Sequence, residues 1–270
     1  MRHRIGSLAL LLFGVLSAGI SRAQLYQPGE VLDYRISYRA KLVPNTEMGS
    51  ARISTSLVTY QGETFYQVVG NGKTLPAFRW FMPVDDTYTI QADMQGKKTR
   101  YFESDIREGS YTFRSHYHYD WPAMQVHTRW KSRRMEQESR KTIKLTSGSM
   151  DPVSLYFLLR TMDISTLKVN EPHLLEMLLE DTIRRLQYRF LGREEKKIRK
   201  MGTFRTLKFA CQLGTSEGFT FTDGTEFIIW ISDDRNLIPL YIESPIRVGS
   251  IQAYISHYEG LKYPLDSKIK

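Results

Sequence analysis

The segment His116-Tyr117-His118-Tyr119-Asp120 carries the densest set of groups that could do chemistry. On an extended backbone, residues two apart share a face, so His116, His118 and Asp120 would present two imidazoles and a carboxylate together. If Trp121-Pro122-Ala123-Met124 closes a hairpin, Asp120 falls opposite Gln125 and His118 opposite His127. Three histidines and an aspartate are ligand types that zinc accepts, so His116, His118, His127 and Asp120 form a candidate metal site for a metal-dependent enzyme. The other reading makes this the wet face of a strand. Arg114, Gln125 and Arg129 share it, and two guanidinium groups would repel a cation. The wet face is the preferred reading, and neither a metal nor any other cofactor is expected.

Other catalytic arrangements find less support. The chain has no His-Glu-x-x-His pair and no phosphate-cradling Gly-x4-Gly-Lys-Ser/Thr loop. Ser244, His257 and Asp234 supply the residue types of a triad, but their spacing does not favour one. Asp233-Asp234, followed by Arg235-Asn236, reads as polar turn chemistry rather than a pair of catalytic carboxylates. Cys211 is the sole cysteine and falls on the apolar parity of Leu207, Phe209 and Leu213, as a buried and inert thiol would. No catalytic residue is assigned, and the balance leans away from an enzyme.

The face opposite the histidines is aromatic: Tyr111, Phe113, Tyr117, Tyr119 and Trp121. Such a row either lines a groove for an apolar ligand or fills a core, and filling a core is the preferred reading. Tyr117 and Tyr119, with Phe157 and Leu158 from a neighbouring segment, are the residues that would bind a ligand if the groove reading holds.

The elements that must position these groups are mostly strands. Period-two alternation marks residues 31–39, 51–59, 64–73, 86–93, 99–107, 111–120 and 126–130. Further strands are expected over 204–213, 226–232, 237–243 and 250–258, giving some twelve or thirteen, with turns at Pro44-Asn45, Gln61-Gly62 and Asp233-Asn236. Residues 174–200 have helical composition, yet Leu186, Tyr188 and Phe190 alternate and Gly192 interrupts the run. One segment is clearly helical: Asp151-Pro152 is a cap followed by a proline, opening a helix over about 152–161. Val153, Leu155, Tyr156, Phe157, Leu158 and Leu159 make it apolar on nearly every side, as an enclosed helix requires. The expected fold is mainly β, an antiparallel meander curled into an open or closed barrel around one buried apolar helix.

Residues 1–23 read as a cleavable secretory signal. Arg2, His3 and Arg4 precede an apolar stretch over 7–20, and Ser21-Arg22-Ala23 places small residues before Gln24. A membrane anchor is the alternative, but the apolar stretch falls short of the ~20 residues a spanning helix needs. Residues 24–270 then form one β-rich domain, periplasmic or secreted, with no transmembrane segment after cleavage. Removing Arg2, Arg4 and Arg22 lowers the formal charge from +9 to +6. The clusters Lys131, Arg133, Arg134 and Lys196, Lys197, Arg199, Lys200 suit a solvated strand face or an anionic envelope surface, and export argues against nucleic acid.

Four groups of residues, in order along the chain, carry a family resemblance. They are Pro28-Gly29-Glu30-Val31-Leu32-Asp33-Tyr34; Asp151-Pro152-Val153-Ser154-Leu155-Tyr156 with Leu159-Arg160; Gly192-Arg193-Glu194 and Gly202-Thr203-Phe204 with Lys208; and Trp230-Ile231-Ser232-Asp233-Asp234 with Pro239 and Gly249-Ser250. Together they resemble a bacterial envelope family catalogued as domain of unknown function 3108. The resemblance implies a secreted, mostly antiparallel β fold and favours strands for residues 174–200. It brings no catalytic residues, and the motif residues themselves look structural.

Three functional readings follow. The first is a non-enzymatic envelope protein that binds a lipid or other amphipathic molecule in its concave face. The second is a structural or assembly factor with a solid core, meeting an envelope protein partner through its surface. The third is a metal-dependent enzyme using the histidine face. A transmembrane barrel fits the alternation, but it gives the apolar helix no role, and residues 266–270 are polar.

Overall fold

The computed structural model describes residues 25–40, 43–179, 181–212, 225–246 and 249–270. The expected leader and its Ala23/Gln24 junction lie outside them, as does Leu213. Among the described residues the strands are β1 (Val31–Ala40), β2 (Val43–Tyr60), β3 (Glu63–Thr74), β4 (Asp85–Ala92) and β5 (Thr99–Glu108). There follow β6 (Tyr111–Asp120), β7 (Gln125–Ser132), β8 (Ser139–Lys144) and β9 (Ser149–Met150), then the helix α1 (Ser154–Thr161). The rest are β10 (Pro172–Leu179), β11 (Thr182–Ile198), β12 (Gly202–Gln212), β13 (Glu226–Ser232), β14 (Pro239–Pro245) and β15 (Ser250–Glu259).

All fifteen belong to one sheet, in which β1 to β8 run outward in chain order from one side of the β1–β15 pair and β14 to β9 run outward from the other. Every pairing is antiparallel except β9 with β10, which is parallel over two residues. The count exceeds the twelve or thirteen expected because β8 and β9 carry little apolar alternation. Pro44 and Asn45 lie inside β2 rather than in a turn, with the β1–β2 register shifting beside them. Residues 172–198 form the hairpin β10–β11, so the Leu186, Tyr188 and Phe190 alternation outweighs helical propensity, and all three are buried. Gly192, at φ +112°, sits where the β11–β12 register shifts, in a backbone region that a side chain would strain.

The sheet curls but does not close. Leu175, Met177 and Leu179 of β10 pack with Leu207, Phe209 and Ile231 in one apolar cluster. Leu178, of opposite parity and therefore on the other face of the strand, packs with Phe102, Tyr117, Tyr119 and Val126 from β5, β6 and β7. The two margins therefore overlap, with the outer face of β10 laid against the inner face of β6 and β7.

The helix occupies the concave side. Asp151 accepts backbone N–H groups from Val153 and Ser154, both at 3.0 Å, and its other oxygen accepts the hydroxyls of Ser154 at 2.7 Å and Thr99 at 2.8 Å. Pro152 and Val153 form a turn ahead of the first helical residue, so α1 opens two positions later than expected. Tyr156 and Phe157 join the cluster built by β1, β3 and β4 with Tyr26 and Ile255, whereas Leu159 joins that of β10 to β13. Phe157 and Leu159 are each 1% exposed. Burying two such side chains stabilises the fold by roughly 1.5–3 kcal/mol apiece.

Candidate functional site

The histidine face has the register the spacing implies: His118 stands opposite His127, His116 opposite Arg129 and Asp120 opposite Gln125. The side chains turn to different partners. The Tyr101 hydroxyl donates to Glu103 at 2.8 Å and so accepts from His116 Nδ1 at 3.1 Å. His127 Nδ1 lies 3.0 Å from the Thr142 hydroxyl, and the His118 ring lies 5.0 Å from that of Tyr101. Asp120 accepts the N–H of Ala123 in the hairpin turn. Among the described residues, no group of three or more His, Cys, Asp or Glu side chains is placed to hold a metal ion. Partial burial holds the imidazoles of His116 and His118 below their usual range, and Arg100 and Arg129 depress His118 further. The cleft beside His118 and His127, about 530 Å³, is also lined by Arg129, Arg140 and Lys141. Three fixed cations there oppose a fourth.

The candidate triad is not assembled. Ser244 lies opposite Ile251 and His257 opposite Asp33, at different ends of β15. Asp234 is held in its turn, accepting the Ser232 hydroxyl and the Asn236 N–H at 2.9 Å and the Ser267 N–H at 3.1 Å. The string Gly214-Thr215-Ser216-Glu217-Gly218 has the Gly-x-Ser-x-Gly spacing of a nucleophile elbow and lies outside the described residues. The described strands on either side of it pair antiparallel, with Gln212 opposite Glu226. Cys211 is buried and unpaired, and burial pushes its thiol up to about 12.

Tyr117, Tyr119 and Phe157 are all buried. Tyr117 stacks on Phe102 with centroids 4.8 Å apart, Tyr119 stacks on Trp121 at 5.8 Å, and Phe157 packs on Tyr26 at 5.6 Å. Leu158 is half-buried against the β10–β13 cluster.

The most organised polar constellation lies inside the sheet, around a residue that the apolar pattern of α1 conceals. Arg160 grips Glu30 with two nitrogens, Nη1 to Oε1 and Nη2 to Oε2, the latter at 2.9 Å. Its Nε donates to the Asn236 carbonyl at 3.0 Å, and the guanidinium lies 4.4 Å from the centre of the Tyr26 ring. The Tyr156 hydroxyl donates to Glu30 Oε1 at 2.9 Å and accepts from Arg160. Burial raises the Tyr156 phenol well above its usual range, so it stays a donor. Asn236 Nδ2 reaches the carbonyls of Tyr263 and Pro264, both at 3.0 Å. The cluster thus ties the entry to β1, the helix, the β13–β14 turn and the C-terminal segment at one point. Its chemistry is that of a clamp: each charge is paired, and solvent does not reach the pair. A lone arginine on an otherwise apolar helix is the signal that could have revealed it. Its acidic partner is marked by nothing local.

A second cluster lies on the outer face. Trp230 donates its indole N–H to Glu194 at 2.5 Å, and the Lys196 ammonium sits 3.6 Å from the Trp230 ring and 4.2 Å from the Tyr241 ring. Arg193 pairs with Asp233 at 3.1 Å. The third and fourth groups of motif residues therefore meet across β11, β12 and β13.

The fold resembles a solved one. The crystal structure of a beta-barrel-like protein of domain of unknown function DUF1849 from Brucella abortus superposes with a TM-score of 0.53, covering 88% of this chain and 99% of that chain at 11% identity. No curated protein matches the sequence. The sequence model of one family aligns with residues 33–256, a span that begins after Glu30 and takes in the helix with Arg160, the Trp230–Glu194 cluster and the overlapping margins. The chain belongs to that family, described as protein of unknown function (DUF3108).

Proposed function

We propose that this is an exported, non-enzymatic protein of the cell envelope whose curled sheet is packed solid around its own helix and which acts through its outer surface. The seating of α1 carries this reading. A carrier needs open volume on the concave side, and there Tyr26, Tyr66, Phe157 and Leu159 are each no more than 2% exposed. The helix is also fastened at both ends, by Asp151 to Thr99 and by Arg160 to Glu30, so opening a lumen would break buried, charge-assisted bonds. Export rests on the leader read from residues 1–23.

The test is mass spectrometry, native and after organic extraction, on protein purified from its own envelope. The polypeptide is expected without a stoichiometric amphipathic companion. One lipid per chain, retained through gel filtration, would overturn the solid-core reading and restore ligand carriage in the concave face.

A further inference from the structure

Between β3 and β4, residues 75–84 leave the sheet and present Trp80, Phe81 and Met82 at 83%, 66% and 44% exposure. Isolated exposed apolar residues are ordinary, but three consecutive large ones at one apex are not. The loop is held firmly at its base. Thr74 N–H donates to the Val84 carbonyl at 3.1 Å, the Thr74 hydroxyl donates to the Met82 carbonyl at 2.7 Å, and Gly109 N–H donates to the Pro83 carbonyl at 2.7 Å. Inside the loop, Pro76–Phe78 form a 3-10 turn, and the Trp80 and Phe81 rings meet edge-on at 5.9 Å. The apex is thus a preformed projection rather than a slack connection.

Its surroundings are basic. Arg79 precedes the three apolar residues, and the Gly109–Ser110 turn beside Pro83 is touched by Arg133, whose Nη1 donates to the Ser110 carbonyl at 3.3 Å. Arg134 lines the same shallow cleft. Arg79, Arg133 and Arg134 are all exposed, and none is in a salt bridge among the described residues. Two acids of this rim are engaged elsewhere: Asp105 with Arg107 and Arg114, and Glu138 with Arg140. Asp85, Glu136 and the charge that Asp86 and Glu108 hold between them remain, and they moderate the positive field of the three arginines.

We propose that Trp80, Phe81 and Met82 dock this protein on an anionic lipid surface, the three side chains entering the interfacial layer while Arg79, Arg133 and Arg134 lie against the headgroups. A convex apolar apex needs a matching hollow in a protein partner, whereas a fluid bilayer needs none. Indole and phenyl rings beside basic side chains are the combination that an anionic interface favours. The formal charge of +6 that remains once Arg2, Arg4 and Arg22 leave with the leader acts in the same sense.

This inference rests on the surface-acting reading above and names its partner. The test is sedimentation of the purified exported protein with phosphatidylcholine vesicles, with and without a minority of phosphatidylglycerol, while tryptophan emission is followed. Binding to the anionic vesicles with a blue shift is expected. Trp80→Ser with Phe81→Ser should lower the affinity by about tenfold or more. Arg133→Glu with Arg134→Glu should remove the preference for anionic vesicles, on the order of fivefold per arginine. Circular dichroism should be unchanged in both variants, because the substituted side chains are exposed. Absence of vesicle binding by the natural sequence, or equal binding by the Trp80→Ser/Phe81→Ser variant, would overturn the proposal. So would capture of an envelope protein through this patch without lipid. A core-bound lipid would be extracted from natural sequence and variant alike, so failure of the solid-core reading is recognised separately.

Discussion

Arg160 and Glu30 are 130 residues apart in the chain, yet their side chains meet in parallel, Nη2 to Oε2 at 2.9 Å, with exposures of 2% and 1%. Water cannot replace either partner, so removing one strands the other as a buried charge. Glu30→Ala and Arg160→Ala are each expected to lower unfolding free energy by about 3–5 kcal/mol. Glu30→Leu combined with Arg160→Met should cost far less than the sum, since apolar side chains of similar volume leave no orphaned charge. Urea denaturation of the four proteins measures this. A loss below about 1 kcal/mol in either single variant would mean that the clamp does not secure the helix.

The two ends of this clamp show how far the sequence could be read. Alternation in β6 gave the buried aromatics and the wet histidines because one strand displays both its faces in its own sequence. The turn at Trp121–Met124 then placed His118 opposite His127. Partnerships between distant segments leave no such trace: Glu30 and Arg160 stand in two separate groups of motif residues, each plausible as a local feature. β8 escaped notice because Ser139, Arg140, Lys141, Thr142 and Lys144 are polar and only Ile143 packs inward, as suits a strand at a sheet margin. Trp80-Phe81-Met82 escaped for the opposite reason. An apolar triplet reads as core in sequence, and only the loop's departure from the sheet exposes it.

A pH dependence follows from the pair Asp86 and Glu108 at the base of the same loop. Burial, then the neighbouring Asp86 carboxylate, pushes Glu108 up to about 7, and Asp86 is likewise raised by burial. A folded state that holds a proton the unfolded chain releases loses stability as pH rises between the two pKa values. Stability should therefore fall between about pH 4.5 and 7 and level off above, by roughly 1–2 kcal/mol. This is less than the full shift represents, because Glu108 is only half-buried and water screens it. Glu108→Gln should flatten the profile over that window. A variant whose stability falls as steeply as the natural sequence would remove Glu108 as the cause.

The histidine face yields a prediction about metals. His116 is tied to Tyr101, His127 to Thr142, and Arg129 and Arg140 stand beside them. Protein dialysed against zinc and then against buffer should retain no stoichiometric metal by elemental analysis. His118→Ala should leave thermal stability within about 0.5 kcal/mol, as for an exposed substitution. One zinc per chain, lost in His118→Ala, would revive the enzyme reading.

The overlapping margins supply the last prediction. A strand at the edge of an open sheet has unpaired backbone groups along one side, and here β8 and β9 are those edges. No ladder of hydrogen bonds joins β8 to β10, so apolar contact must hold the overlap, and Leu178 is its centre. It is fully buried, and it meets Tyr119 and Val126 from strands on the opposite margin. Lys141 adds a bond to the Asp181 carbonyl at 2.9 Å, but both side chains are about half exposed. Leu178→Ala is accordingly expected to cost about 2–5 kcal/mol, whereas Lys141→Ala should cost under about 1 kcal/mol. The distinguishing observation is where amide exchange accelerates. If Leu178 seals the overlap, exchange should rise in β7, β8 and β10 together while β1, β2 and β15 remain protected. Uniform acceleration across the sheet would show instead that the margins are no weaker than the centre. In that case the curl would be held by the helix alone.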